Sequence, residues 1–206
     1  MASPTIKLHK GDLPASVTFR GAVAVDTETL GLKPHRDRLC LVQLSAGDNT
    51  AHLVQLDHTS HAAPRLEAVL TDAGLLKIFH FARFDVAVLR RHLGVAVAPL
   101  YCTKIASKLA RTYTDRHGLK DLALELCGIE LSKQQQSSDW AAESLTPQQL
   151  AYAASDVLYL HAIREKLDRM LDRDGRRAEA EACFRFLPTR AGLDLAGFED
   201  DDIFAH

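Results

Sequence analysis

The sequence has neither closely spaced cysteines nor clustered histidines. The four cysteines are scattered along the 206 residues, without a Cys-x-x-Cys pair: Cys40, Cys102, Cys127 and Cys183. A structural zinc site needs closely spaced ligands, and a disulfide framework is typical of small secreted chains, so both are disfavoured. The ten histidines form no His-x-x-x-His pair, which argues against a histidine metal centre. We therefore expect free thiols in a reducing compartment.

The sequence also has no excess of positive charge and no long apolar run. Its formal net charge is −2. Coating long nucleic acid requires many contacts between Lys or Arg and phosphates, so that class of protein is disfavoured, whereas a short nucleotide held at one site is not. No segment is apolar over enough residues to span a bilayer, and none has the pattern of a secretory signal. These absences predict a cytoplasmic protein without a membrane partner.

The composition that is present is that of an ordinary globular domain. Hydrophobic residues make up 47% and charged residues 25% of the chain, which is a typical balance. A chain of 206 residues can bury one sizeable core. We expect a single domain over residues 1–206.

Hydrophobic periodicity predicts five strands followed by, and alternating with, helices. The expected strands are 21–29, 38–45, 50–56, 77–81 and 95–100, and a strand-like segment at 5–8 precedes them. The expected helices are 64–70, 83–93, 103–112, 118–127, 146–171 and 175–186. Short connections make the first three strands antiparallel, with a hairpin signal at 46–49. The pattern predicts an α/β fold with a mixed five-stranded sheet flanked by helices.

Two carboxylates lie at the end of the first buried strand. Asp26 and Glu28 follow an apolar run that begins after Gly21, and residues two apart on a strand point to the same face. Two like charges at this distance are unfavourable unless a proton or a cation neutralises them. A divalent metal uses both carboxylates, whereas a strand end open to solvent would need no ion.

Two later features carry further carboxylates. Asp85 lies in the first turn of a helix that follows a strand, where it could simply compensate the helix dipole. Tyr152 and Asp156 are four residues apart in a helix and share one face. Their neighbours are mainly apolar, and a buried carboxylate without a partner is costly.

The order Asp-x-Glu on a strand, Asp at a strand-to-helix junction and Tyr-x-x-x-Asp on a late helix resembles the three motifs of the DEDD 3′–5′ exonucleases, in their tyrosine subgroup. The resemblance implies an RNase H-like exonuclease fold and two divalent ions, Mg²⁺ or Mn²⁺, per active site. It implies that the metal ligands are Asp26, Glu28, Asp85 and Asp156, and that Tyr152 joins them as a catalytic residue by positioning the attacking water. Two such ions can activate water and stabilise the leaving oxygen of a phosphodiester.

Further segments resemble the RNase D branch of this superfamily, including 118–123, 136–140 and 145–150. RNase D continues into C-terminal helical nucleic-acid-binding domains, and we expect none here. Segments 11–14, 26–32 and 34–40 look more like the stand-alone bacterial nano-RNase C family. That likeness implies hydrolysis of very short RNA, dinucleotides above all, to nucleoside 5′-monophosphates by a homo-oligomer, an octamer in that family. The alternatives are the same chemistry on longer RNA or DNA and a non-enzymatic binding module on this fold.

The predicted substrate contacts are Thr27, Leu30, Leu32, His80, Phe84, Lys104, Ser107 and Lys108. Leu30 and Leu32 serve either core or loop packing or an apolar wedge against bases, and Phe84 either the core or the same pocket. The basic helix that carries Lys104 is either a solvated face or a contact to a 5′-phosphate.

Two further segments, 133–140 and 198–204, also need interpretation. Lys133, Gln136 and Ser138 could contact a phosphate or order their loop, whereas Asp139 and Trp140 are read as a helix cap and an aromatic anchor. The mixed acidic and apolar segment 198–204 is either a frayed tail or a subunit contact.

Overall fold

A mixed six-stranded sheet organises the protein. The structure, a computed structural model, describes residues 3–57, 60, 62–132, 134–135 and 137–205. The strands are β1 (Thr5–Lys10), β2 (Ala22–Thr29), β3 (Leu39–Ser45), β4 (Thr50–Gln55), β5 (Leu76–Phe79) and β6 (Leu100–Cys102). Their order across the sheet is β1-β4-β3-β2-β5-β6. The predicted α/β class, the mixed sheet and the antiparallel pairing of the first three core strands are confirmed.

β2 is the strand at which the sheet changes direction. It pairs antiparallel with β3 and parallel with β5. Residues 23–25 have no exposed surface, as expected for a short apolar run covered on both faces. The register opposes Asp26 to Gln43 and shifts directly after Glu28. Such an irregularity bends a strand and interrupts its pairing, so both carboxylates stand where β2 leaves the sheet.

The prediction of five strands is wrong by one, and the last strand is misplaced. Residues 5–10 join the sheet as β1, parallel to β4. Most of β1 is exposed or half-buried, so it lacks the apolar pattern of a core strand. The strand predicted over 95–100 begins only at Leu100. Pro99 has no N–H to donate to a ladder, so pairing with β5 starts after it.

The described part of the chain contains seven α-helices. They are α1 (Pro64–Thr71), α2 (Ala82–Leu93), α3 (Thr103–Ala110), α4 (Leu119–Leu122), α5 (Pro147–Leu158), α6 (Leu160–Arg173) and α7 (Arg177–Leu193). Wider π-type turns at Ala123–Cys127 and Asp194–Phe198 prolong α4 and α7. The single helix predicted over 146–171 is wrong, because distorted backbone angles at Tyr159 (φ −107°, ψ −4°) interrupt the regular helix and separate α5 from α6.

Two helices bring side chains to the end of β2. α2 begins just after β5, which places Asp85 in its first turn. α5 starts with a capping box, in which the Gln149 amide N–H donates to the Thr146 hydroxyl (3.2 Å) and the Thr146 amide N–H donates to the Gln149 side chain (2.9 Å). α5 packs across β2, β3 and β4. Among the described residues, no helix combines the length and apolar character that a membrane crossing requires.

Candidate active site

Three carboxylates converge at the end of the central strand. Asp26 and Glu28 come from β2, and Asp156 comes from the last turn of α5. One oxygen from each lies within 4.8 Å of the others. The i, i+2 spacing on the strand therefore places the first two side by side, and α5 supplies the third from across the sheet. Three hard oxygen donors at this separation fit a divalent cation such as Mg²⁺ or Mn²⁺.

The three carboxylates strongly disfavour one another's charge. Burial raises the pKa of Asp26 well above its usual range, and the charges of Asp85, Asp156 and Glu28 raise it further. Burial, then Asp156 and Asp85, raises the pKa of Glu28 to about 9. Burial also raises the pKa of Asp156 to about 7, although a hydrogen bond from Tyr152 opposes the shift. A cation in this cluster would remove the repulsion, so the donor set fits a bound metal.

Asp85 approaches the cluster from α2. Its side chain is 4% exposed, and its Oδ1 accepts a hydrogen bond from the Thr27 hydroxyl at 2.7 Å. Burial raises the pKa of Asp85 to about 7, against the effect of that bond. Asp85 does not belong to the three-carboxylate group, yet its charge raises the pKa values of Asp26, Glu28 and Asp156. Thr27, predicted to contact substrate, is buried and orients Asp85.

Tyr152 lies one helical turn before Asp156 on the same face of α5. Burial raises the pKa of its phenol, and the carboxylates of Asp156, Glu28 and Asp26 raise it further. The phenol therefore stays protonated and can donate a hydrogen bond. Its ring packs 6.0 Å, centroid to centroid, from the ring of Trp140, which is 1% exposed. The buried Trp140 thus supports Tyr152, in line with the predicted aromatic anchor.

Sequence reasoning missed Gln43 as a member of the site. Gln43 has no exposed surface, and its Nε2 donates to Asp26 Oδ2 at 3.4 Å. Its Oε1 has no hydrogen-bond partner in the described part of the chain. The signal was available, because Gln43 is the polar exception inside the apolar strand β3 and faces Asp26 in the register. A buried amide beside a carboxylate orients it.

The predicted substrate contacts near β2 divide by exposure. Leu30 and Leu32 are 51% and 84% exposed, so neither serves core packing. Phe84 is half-buried and packs against the core.

His80, another predicted contact, is held by Thr103. The Thr103 hydroxyl donates its proton to the Phe79 carbonyl (3.1 Å), so it accepts a hydrogen bond from His80 Nδ1–H (2.9 Å). In a neutral ring that is protonated at Nδ1, Nε2 carries no proton. Burial, then Lys104, lowers the pKa of His80 to about 3, so the ring is neutral.

The basic helix α3 presents two of its predicted contacts and buries the third. The Lys104 ammonium lies 4.2 Å from the centroid of the Phe81 ring, and Lys104 and Lys108 line a cavity of about 290 Å³. Ser107 has no exposed surface; its hydroxyl accepts from Arg111 (2.9 Å) and shares a hydrogen bond with His117 Nδ1 (2.8 Å).

The loop before α5 is described in part. Lys133 and Gln136 lie outside the described residues. The Ser138 hydroxyl donates to the Gln135 side chain at 2.5 Å, as a loop-ordering residue would. Asp139 accepts from the Ala141 amide (3.0 Å) but does not cap α5, since Thr146 holds that position.

A mixed sheet whose central strand ends in a carboxylate cluster, completed from two helices, defines a nuclease of RNase H-like architecture with an acidic metal site. A sequence profile described as 3′–5′ exonuclease matches residues 11–172. The chain belongs to this 3′–5′ exonuclease family, in its DEDD group.

Solved structures extend the likeness over the whole chain. Brucella melitensis NrnC with bound Mg²⁺ is 57% identical, with a TM-score of 0.94, over 98% of this chain and 99% of that one. The same Brucella protein bound to pGG gives a TM-score of 0.96 at 57% identity, over 99% and 100% of the two chains.

Curated relatives match over a smaller share of their length. Ribonuclease D of Acidiphilium cryptum is 34% identical over 187 residues, which are 82% of this chain and 47% of the relative. The chain thus spans about half the length of the ribonuclease D relatives that it matches.

Proposed function

We propose that the protein is a metal-dependent 3′–5′ exoribonuclease that hydrolyses very short RNA, dinucleotides above all, to nucleoside 5′-monophosphates. The observation that carries the proposal is the convergence of Asp26, Glu28 and Asp156 to within 4.8 Å at the end of β2. Family membership supports the chemistry, and the Brucella relative bound to pGG supports the short substrate.

In this proposal the chain's own residues bind two divalent ions and aim the water. Asp26, Glu28 and Asp156 would hold one ion, and Asp26 with Asp85 would help to hold the other. When bound, the ions would lower the pKa of the attacking water and stabilise the leaving oxygen. The protonated phenol of Tyr152 would orient that water by a hydrogen bond, since a phenol with a raised pKa is a poor base.

The substrate contacts extend the proposal beyond the metal site. The exposed Leu30 and Leu32 would meet unstacked bases, since apolar contact stabilises a base outside a helix. His80 Nε2 would accept a hydrogen bond, and Lys104 and Lys108 would attract the 5′-phosphate. Thr27 and Ser107 would act through Asp85 and Arg111, whose positions they fix. Phe84 would close the wall of the pocket.

A second candidate is the same chemistry on longer RNA or on DNA. The ribonuclease D relatives favour RNA, and DNA polymerase I of Aquifex aeolicus, 34% identical over 75% of this chain and 25% of its own length, favours DNA. A binding module without catalysis is the weakest candidate, because the four carboxylates and Tyr152 are all retained.

The test is hydrolysis of a 5′-phosphorylated RNA dinucleotide in Mn²⁺, beside RNA and DNA decamers. We expect mononucleotide release from the dinucleotide to be the fastest, and Asp156→Asn to abolish it. Asp174→Asn, a carboxylate paired with Arg173 on the surface, is the matched control and should keep wild-type turnover. Faster cleavage of a decamer would favour the second candidate, and undiminished turnover by Asp156→Asn would contradict the catalytic assignment.

Assembly is proposed on the family likeness alone. A homo-oligomer, with an octamer as the expected order, should be visible as a multiple of the chain mass in solution. Light scattering on the purified protein measures it, and a monomer at micromolar concentration would contradict it.

A further inference from the structure

The segment after α7 folds back over the start of α2. Arg83 forms a forked ion pair with Asp194, with nitrogen-to-oxygen distances of 2.6 and 2.8 Å. Arg190 reaches the same carboxylate at 2.9 Å, and Asp194 is largely buried. Forked pairs of this kind fix direction as well as distance. The beginning of the segment is thereby attached next to the helix turn that carries Asp85.

The two arginines also bind the backbone of the segment that follows. Arg83 donates to the Glu199 carbonyl at 2.6 Å. Arg190 donates to the carbonyls of Phe198 (2.6 Å), Glu199 (3.2 Å) and Asp201 (3.0 Å). These bonds go to carbonyl groups that no helix or strand satisfies, so they define the path of residues 198–201. The segment, named here the C-terminal strap (residues 194–201), is therefore ordered by specific bonds.

The strap places one carboxylate on the loop that follows the metal strand. Glu199 Oε1 accepts from Lys33 Nζ at 2.6 Å, and its Oε2 lies 3.7 Å from His35 Nδ1. Lys33 belongs to loop 30–38, which follows Thr29 at the end of β2 and carries the exposed Leu30 and Leu32. Glu199 therefore links the strap, anchored beside Asp85, to the loop that borders the carboxylate cluster.

Hydrogen bonds within the loop join Lys33 to Asp37, and through Asp37 to α2. The Lys33 amide donates to Asp37 Oδ2 (2.9 Å), and the Asp37 amide donates to the Lys33 carbonyl (2.8 Å). The Asp37 carbonyl is in turn 3.0 Å from His92 Nε2, at the end of α2. Leu32 is the neighbour of Lys33 in this closed turn, so a shift of Lys33 moves Leu32 with it.

We propose that Glu199 is a positioning residue, which holds loop 30–38 at the opening of the site and so favours binding of a short RNA substrate. Exposure of Leu30 and Leu32 to water does not stabilise the protein, whereas an apolar surface held in a fixed position can contact an unstacked base. The strap holds this edge through Glu199 at Lys33, beside the contact of His92 with Asp37. The inference rests on the proposed function, and it concerns substrate binding rather than the chemical step.

The test separates KM from kcat in Glu199→Gln. A surface ion pair of this exposure contributes little, so we expect KM for the dinucleotide to rise about two- to five-fold, with kcat unchanged. Lys33→Glu alone should have the larger effect, because two carboxylates then face each other. The double variant Lys33→Glu with Glu199→Lys should restore KM. Glu181→Gln, which removes an exposed carboxylate paired with Arg185 on α7, is the control.

Trypsin cleavage provides a readout that does not depend on turnover. Glu199→Gln should speed the cut after Arg36 or Arg38, since a loop released at Lys33 opens more often. An unchanged KM together with unchanged trypsin cleavage would overturn the positioning role, as would failure of the charge swap to restore KM. If the wild-type protein leaves the dinucleotide intact, the proposed function fails, whereas the trypsin comparison still decides whether Glu199 holds the loop.

Discussion

Two regions of the molecule bury charge in opposite ways. Under α3, Arg111 has no exposed surface and is fully paired: it donates to both oxygens of Glu125, to the Ser107 hydroxyl (2.9 Å) and to the Arg116 carbonyl (2.7 Å). At the end of β2, four carboxylates approach one another, and no Lys or Arg forms an ion pair with them in the described part of the chain.

The pKa of a carboxyl group is therefore shifted in opposite directions in the two regions. Arg111 and Tyr113 lower the pKa of Glu125, whereas burial and like charges raise the pKa values of Asp26 and Glu28. A buried charge that serves the fold is accompanied by its counter-charge, as with Arg111. A cluster that lacks one is retained at a cost in stability, which is typical of a functional site that binds its counter-ion from solution.

The largest expected effect comes from removing one charge of the cluster. Asp26→Asn should reduce dinucleotide turnover about a thousand-fold or more, because a metal ligand supports several kcal/mol of transition-state stabilisation. The same change should raise the free energy of unfolding in EDTA, since it removes the cost of burying the Asp26 charge and the repulsion from its neighbouring carboxylates. Turnover assays and urea denaturation measure the two. A variant that is both inactive and less stable in EDTA would contradict the comparison.

Removing the buried charge of Arg111 should instead destabilise the folded protein. Arg111→Met should lower the free energy of unfolding by about 3 kcal/mol, because Ser107 and the Arg116 carbonyl lose their donor. Glu125 is 43% exposed and can be hydrated, which keeps the loss at this level. Urea denaturation checks it, with the exposed Arg185→Met as the control, expected within about 0.5 kcal/mol of wild type. A loss no larger than that of the control would contradict the structural role.

Of these two regions, only the acidic cluster could be predicted from the sequence. Periodicity predicts only that Asp26 shares a face with Glu28 and that Tyr152 shares one with Asp156. The resemblance to the three DEDD exonuclease motifs is what joins these carboxylates and Asp85 into one site. The pairing of Arg111 could not be predicted, since it depends on loop 112–118, whose path no periodicity encodes. β1 was missed as a member of the sheet because an exposed edge strand has no apolar pattern, and Ser107 was expected at the surface because a basic helix hides which of its polar residues points inward.

The unfavourable charge of Glu28 should also make the stability of the protein depend on pH. Glu28 has a pKa of about 9 in the folded protein, above its ordinary value of 4.5. The folded state therefore binds more protons between those values, so the stability that Glu28 confers is present at low pH and is lost as pH rises towards 9. In EDTA, wild type should lose about 2 to 3 kcal/mol relative to Glu28→Gln between pH 6 and pH 8, since one pH unit corresponds to about 1.4 kcal/mol for one proton.

The difference between the two proteins isolates Glu28 from the histidines, which titrate in both. Urea midpoints at the two pH values provide the measurement. Saturating Mg²⁺ should reduce the slope of the wild type, because the ion replaces the proton in the cluster. Parallel pH profiles for wild type and Glu28→Gln in EDTA would mean that Glu28 is ionised and solvated.

The smallest effect is expected at Gln43, a neutral buried side chain next to the carboxylate cluster. Its Nε2 is a neutral donor to the cluster, at 3.4 Å from Asp26 Oδ2, and its Oε1 is unpartnered among the described residues. Gln43→Leu should weaken Mn²⁺ affinity and turnover about ten-fold, at the low end for a residue that orients a metal ligand, because the bond is long. The leucine also removes a buried polar group, so the free energy of unfolding should not fall. Calorimetric titration with Mn²⁺ distinguishes this from a folding defect, and an unchanged affinity would show that β2 alone orients Asp26.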